Sequence, residues 1–155
     1  MYFAMLRTLA LLRHGRAAGQ GTDSQLTPEG VQQLRKVAAV LRAERWRPGA
    51  ILVSPLARAQ ASARAFAADL GVALAPLVLR ELIPDSEPAD AMLAIDTAAP
   101  QCTSILVVSH LPLVARIASE LTGEEVAFTP ATFVEIAHEG EDGARLVRRL
   151  SPEEL

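Results

Sequence analysis

The sequence predicts an α/β fold with three layers, in which helices cover both faces of a mainly parallel sheet that ends in an antiparallel edge hairpin. Short apolar runs alternate with helical stretches along the chain, which is typical of βαβ units. The chain has 155 residues, of which 50% are apolar, enough for one ordinary domain but few for two. We therefore expect residues 1–155 to form a single domain, with residues 1–5 a disordered extension or the result of an alternative start at Met5.

The first strand and the first helix are predicted by an apolar run and by capping residues. Residues 8–12 form the predicted strand, and a polar loop follows it. Thr27 can cap a helix, Pro28 suits its first turn and Glu29 complements its dipole. Apolar side chains at helical spacing continue this helix to about residue 44.

The middle of the chain continues the alternation of strands and helices. Residues 50–53 are the second predicted strand, and Pro55 begins the second helix. Residues 72–79 predict a third, weaker strand, and residues 87–98 predict a helix.

The last third of the chain supplies a buried strand, a helix and a hairpin. Residues 104–108 are a continuous apolar strand, and a helix over residues 112–121 ends before Gly123. The hairpin is predicted from residues 132–136 and 144–150 around a turn at residues 139–143.

Composition excludes several classes of function. The net charge of −3 argues against binding to nucleic acid or to an acidic membrane surface. Lys36 is the only lysine, and the P-loop pattern is absent. Because Cys102 is the only cysteine, no disulfide framework or cysteine cluster for zinc is expected, which suits a reducing cytoplasm. The N-terminal apolar run is too short for a signal peptide or a membrane span.

Three predicted strands end in arginine or histidine. Arg13 and His14 follow the first strand, Arg58 lies just beyond the second, and His110 follows the strand at residues 104–108. Carboxyl ends of parallel strands meet at one edge of a sheet, and Arg58 falls in the first turn of a helix, where an anion is already favoured. Together these residues predict an anion site, although each alone could be a solvated cation or an ordinary loop histidine.

A metal site is the main competing use for the two strand-end histidines. His14 and His110 have no histidine partner at metal-ligand spacing and no flanking carboxylate, so we expect no metal. His138, the third histidine, lies near the hairpin turn without a cationic neighbour, and we expect it at the surface.

Four segments resemble the histidine phosphatase superfamily, which has the phosphoglycerate mutase-like fold, in order and spacing. They are Leu11-Leu12-Arg13-His14-Gly15, Leu26-Thr27-Pro28-Glu29-Gly30, Val53-Ser54-Pro55-Leu56-Ala57-Arg58-Ala59 and Val108-Ser109-His110-Leu111-Pro112. The small size and the ending Leu150-Ser151-Pro152 are most similar to the SixA-type phosphohistidine phosphatases.

The resemblance implies a metal-independent hydrolase with no cofactor. His14 would attack phosphorus and form a covalent phosphohistidine, which water then hydrolyses to release inorganic phosphate. Arg13, Arg58 and His110 would bind the phosphoryl group and offset the charge on its oxygens.

The resemblance also raises the question of a proton donor. Larger relatives use an acidic residue after the third strand, for which Glu81 is the match by order, with Asp85 and Glu87 as nearby substitutes. An imidazole leaving group, with a reference pKa of about 6.5, needs a proton less than an alkoxide does. A phosphohistidine phosphatase could therefore work with none of these carboxylates in place.

The segment between the third strand and the next helix is too short for a cap over a small metabolite. An open site predicts a protein substrate, and the resemblance suggests a phosphorylated histidine phosphotransfer or phosphocarrier protein, bound transiently in the cytoplasm during signal transduction. Two alternatives stay open at this point. One is a small-molecule phosphomonoesterase of the same fold, in which Glu81 would be indispensable, and the other is a non-catalytic phosphate-binding module.

Overall fold

The computed structural model describes residues 6–139 and 143–155. The strands are β1 (Leu6–Arg13), β2 (Ala50–Val53), β3 (Leu77–Val78), β4 (Ser104–Ser109), β5 (Phe133–Glu139) and β6 (Ala144–Leu150). The helices are α1 (Pro28–Ala43), α2 (Ala57–Leu70), α3 (Pro88–Ala98) and α4 (Leu113–Thr122), with short 3-10 turns at Arg80–Leu82 and Pro152–Glu154. The expected extension at residues 1–5 and the hairpin turn at residues 140–142 lie outside the described residues.

The six strands form one sheet in the order β3-β2-β4-β1-β5-β6. The first four strands of that order pair in parallel, whereas β5 and β6 pair antiparallel at one edge. This confirms the predicted mainly parallel sheet with an antiparallel edge hairpin. The parallel register of β1 and β4 sets Arg13 opposite Ser109, so these two strands end side by side.

Two apolar clusters, one on each face of the sheet, make the three layers. Leu9 and Leu11 of β1 face a cluster that includes buried side chains of α3 and α4. Ala10 and Leu12, the alternate residues, face a second cluster that includes α1 and α2. Both central strands β1 and β4 are therefore buried on both faces, as their continuous apolar sequences predict.

Several of the predicted boundaries are wrong. The strand expected over residues 72–79 is only Leu77–Val78, because Pro76 has no N–H to donate to a strand ladder. The second helix begins at Ala57 instead of Pro55, because the N–H of Leu56 donates to Ser54 Oγ at 3.2 Å and closes a turn first. β1 begins earlier and β5 continues further than predicted, whereas the other helices lie close to their predicted ranges. Gly123 ends α4 with a φ of 74°, a conformation that glycine adopts readily.

Candidate active site

The ends of β1 and β4 bring two histidines together. His14 follows the last residue of β1, and its backbone N–H donates to Ser109 O at 3.0 Å. His110 follows Ser109 directly, so the two imidazoles project from neighbouring parallel strands. Their ring centroids lie 5.0 Å apart.

His14 is held with one ring nitrogen free of a proton. Its Nδ1 lies 2.7 Å from Gly15 O, and because a carbonyl can only accept, Nδ1 is the donor. The pKa of His14 is lowered from 6.5 to about 4, chiefly by burial; the bond to Gly15 opposes this shift, and the positive charges of Arg58 and Arg13 add to it. At neutral pH the ring is uncharged, and Nε2 accepts a hydrogen bond from Arg58 Nε at 3.3 Å.

Two guanidinium groups lie beside the His14 ring. Arg58 is in the first turn of α2, and one of its terminal nitrogens donates to Gly21 O at 2.9 Å. Arg13 donates from a terminal nitrogen to Phe128 O at 2.9 Å. The Arg13 Nε–H is buried and has no acceptor within the described part of the chain. A buried donor without a partner costs free energy.

His110 is the most deeply buried member of the group. Its Nε2 lies 2.7 Å from Ser54 Oγ. Burial lowers the pKa of His110 to about 3, with smaller contributions from His14, Arg58 and Arg13. The Nδ1 atom is buried and, among residues 6–139 and 143–155, has no hydrogen-bond partner.

One cavity of about 440 Å³ is lined by the side chains of Arg13, His14, Arg58 and His110. Other lining residues include Arg16, Gln20, Pro84 and Leu111. Leu111 is 38% exposed at the mouth. Arg16 also forms an ion pair with Glu29 at 3.1 Å, so its charge is partly neutralised before any ligand binds. The structure thus brings together Arg13, His14, Arg58 and His110, the residues predicted from the strand ends.

The backbone after His14 is held between two helices. A Cβ on Gly15 would lie 2.8 Å from Gly30 O, so α1 approaches the loop more closely than a side chain permits. On the other side, the N–H of Gly15 donates to Ser62 Oγ of α2 at 3.0 Å. Sequence reasoning missed Ser62, whose one signal was a polar residue on the otherwise apolar face of α2.

The expected proton donor is not at this site. Glu81 lines a separate cavity, together with Ile83 and Leu93, and its carboxylate lies 3.9 Å from Arg80 Nε. Glu81 is not among the residues that the structure brings together around His14, because the 3-10 turn at Arg80–Leu82 directs Leu82 into the core and leaves Glu81 on another surface.

The two substitutes considered for that donor are also elsewhere. Asp85 is exposed, and Glu87 pairs with Arg116 at 3.1 Å. No carboxylate of the described residues lines the cavity around His14.

Within residues 6–139 and 143–155, no three histidine, cysteine or acidic side chains are grouped so that they could hold a metal ion. Nor does any helix in those ranges have the length and apolar character needed to cross a membrane.

Comparison with known proteins gives a consistent result. Residues 9–83 match the model of the histidine phosphatase superfamily (branch 1). A phosphohistidine phosphatase SixA homolog from Haemophilus influenzae is 41% identical over 51 residues, a match that covers 32% of this chain and 31% of the relative's own length.

Solved structures extend the similarity over nearly the whole chain. The protein histidine phosphatase SixA complexed with tungstate has a TM-score of 0.87 and 26% identity, covering 95% of this chain and 98% of that one. A phosphoserine phosphatase from Entamoeba histolytica has a TM-score of 0.75 and 18% identity, covering 96% of this chain and 99% of that one, which shows a shared fold.

Proposed function

Because this chain belongs to the histidine phosphatase superfamily, we propose that it hydrolyses phosphohistidine on another protein, through a phosphoryl group carried on His14. One observation carries the proposal. An uncharged His14 lies between two guanidinium groups in a cavity that no described carboxylate lines. Such a site can attack and stabilise a phosphoryl group, but it offers no acid to an alkoxide leaving group.

In the first step, the lone pair of His14 Nε2 attacks phosphorus, and the bond from phosphorus to the substrate imidazole breaks. The electron pair of that bond returns to the departing ring, which already carries a proton on its other nitrogen and therefore leaves as neutral imidazole. The reference pKa of imidazole, about 6.5, makes it a much better leaving group than an alkoxide. A carboxylic acid beside the leaving group is therefore dispensable for this substrate.

In the second step, water attacks the phosphorus of phospho-His14. A new P–O bond forms, the Nε2–P bond breaks with its electron pair returning to the ring, and the released phosphate keeps both protons of the water. His14 is again neutral, and its Nδ1 still donates to Gly15 O at 2.7 Å. This is covalent catalysis, which divides one difficult displacement into two easier ones.

Arg13, Arg58 and His110 would bind the three peripheral oxygens of the transferring group. Phosphoryl transfer depends chiefly on positioning and on electrostatic stabilisation. The planar guanidinium suits phosphate oxygens, and the unpartnered N–H of Arg13 gives one of these bonds a donor that is already in place. The two cations supply the charge that a metal ion would otherwise provide, so we propose a metal-independent reaction.

The proposed partner is a protein that carries phosphate on a histidine, either a phosphotransfer domain or a phosphocarrier. Its side chain has to enter the mouth of the cavity beside Leu111, which is 38% exposed. An encounter of this kind is transient, and we expect its interface to bury less than about 1,200 Å².

Hydrolysis of two substrates by three proteins tests the proposal. A phosphohistidine protein and a phosphate monoester are offered to the wild type, His14→Ala and Glu81→Gln. We expect His14→Ala to hydrolyse neither substrate. Glu81→Gln, which changes charge but not shape, should hydrolyse the phosphohistidine protein at the wild-type rate. A higher kcat/KM for the monoester than for the phosphohistidine protein would instead indicate a small-molecule phosphomonoesterase.

A further inference from the structure

We propose that Ser54 is a positioning residue that keeps the proton of His110 on Nδ1, so that a buried N–H of this ring points at the phosphoryl group. The inference rests on the proposed function for the identity of the bound group. Ser54 belongs to the segment that connects β2 to α2, and it does not line the cavity. It would therefore act only through His110.

The hydrogen bonds of Ser54 determine where the proton of His110 lies. The Ser54 hydroxyl is buried, and two groups lie within hydrogen-bond distance of Oγ. One is the backbone N–H of Leu56, at 3.2 Å, which can only donate. The other is His110 Nε2, at 2.7 Å. The single hydroxyl proton needs an acceptor, so it goes to Nε2, and in the neutral ring the remaining proton is on Nδ1.

The Nδ1–H of His110 can donate a hydrogen bond to a bound phosphoryl group. His110 is 1% exposed and lines the catalytic cavity, yet its Nδ1 has no partner within the described residues. A phosphoryl oxygen in the cavity would accept from this N–H and satisfy a buried donor. The other tautomer would direct a lone pair at the same oxygen, and two acceptors facing each other repel. The tautomer therefore decides whether His110 attracts or repels the anion.

The backbone fixes Ser54 relative to His110. The N–H of Ser54 donates to Val108 O of β4 at 3.1 Å, and His110 directly follows the end of that strand. The hydroxyl and the imidazole are thus carried by two hydrogen-bonded neighbouring strands. This arrangement limits how far the pair can separate when a ligand enters.

Nitrogen NMR of the imidazole rings, combined with calorimetry of inorganic phosphate binding, tests the inference. In the wild type we expect His110 at neutral pH to be protonated on Nδ1, and the resonance of that proton to shift when phosphate binds. In Ser54→Ala we expect a mixture of tautomers. Phosphate affinity and kcat/KM should fall about tenfold to a hundredfold, the range typical of losing a group that orients a functional histidine. Ser54→Thr, which keeps the hydroxyl, should restore the single tautomer.

A wild-type His110 protonated on Nε2 would overturn the inference without any variant. So would a folded Ser54→Ala protein that keeps the Nδ1–H tautomer and the wild-type affinity for phosphate. If Ser54→Ala does not fold, the wild-type spectrum and Ser54→Thr still decide the question. The NMR and calorimetric readouts need no phosphohistidine substrate, so failure of the proposed function and failure of this inference are separate results.

Discussion

The backbone N–H of Gly15 donates to Ser62 Oγ at 3.0 Å, and the Ser62 hydroxyl in turn donates to Arg58 O at 2.7 Å. One buried hydroxyl therefore joins the residue after His14 to the helical turn that carries Arg58. His14 and Arg58, which are both proposed to contact the phosphoryl group, depend on the Ser62 hydroxyl for their positions relative to each other.

Ser62→Ala should destabilise the protein and lower kcat. The N–H of Gly15 would be left buried without an acceptor, which costs about 1–3 kcal/mol in the free energy of unfolding. Urea denaturation measures the stability, and steady-state kinetics measure kcat and KM. Thr97→Ala is the matched control, because Thr97 Oγ1 donates only within α3, to Leu93 O, at an exposed position. A Ser62→Ala protein with wild-type stability and kcat would contradict the proposed link.

Arg58→Ala should lower kcat/KM by about 10²–10³, the usual cost of removing one donor that stabilises charge in a transition state. Arg58→Lys should recover only part of this loss, because an ammonium lacks the planar fork that matches phosphate oxygens. Calorimetry with inorganic phosphate should show weaker binding for both variants. Arg64→Ala, which removes an exposed guanidinium from the same helix, is the control. Unchanged phosphate affinity in Arg58→Ala would exclude Arg58 from the anion site.

The position of four site residues could be predicted because parallel strands impose it. Arg13, His14 and His110 follow short apolar runs that are typical of buried strands, and the carboxyl ends of such strands meet at one edge of the sheet. Arg58 lies in the first turn of the helix after β2, so it is placed near the same edge of the sheet. The predicted sheet, with its antiparallel edge, was confirmed for the same reason, since continuous and alternating apolar patterns distinguish buried strands from edge strands.

Glu81 could not be placed in this way. It lies in a short 3-10 turn, where no periodicity fixes the direction of a side chain, and the order of residues along the chain was the only guide. Ser54 and Ser62 were not assigned roles because their partners are distant in sequence. The bond from Ser54 to His110 joins residues 56 positions apart, a contact that no local pattern encodes.

The imidazoles of His14 and His110 should stay uncharged well below neutral pH. Burial lowers the pKa of His14 from 6.5 to about 4 and that of His110 from 6.5 to about 3. A nitrogen NMR titration from pH 8 to acid should therefore show no protonation of either ring as the pH passes through 6.5. Midpoints near 6.5 would contradict the arrangement described for the cavity.

The same lowered pKa values make stability depend on pH. Between about pH 6.5 and pH 4 the unfolded chain binds protons at these histidines that the folded protein does not, so the free energy of unfolding falls as the pH falls through this range. Urea denaturation at pH 7 and pH 5 measures the difference. His110→Ala should show a smaller difference than the wild type.

The most direct test follows the phosphoryl group itself. The enzyme is mixed with a phosphohistidine protein labelled on phosphorus, quenched in alkali within a single turnover, and digested for mass spectrometry. We expect label on His14 at Nε2, none in His14→Ala, and wild-type labelling in His138→Ala, which alters a histidine that does not line the cavity. Turnover by the wild type without label on His14, or turnover by His14→Ala, would contradict the proposed covalent mechanism.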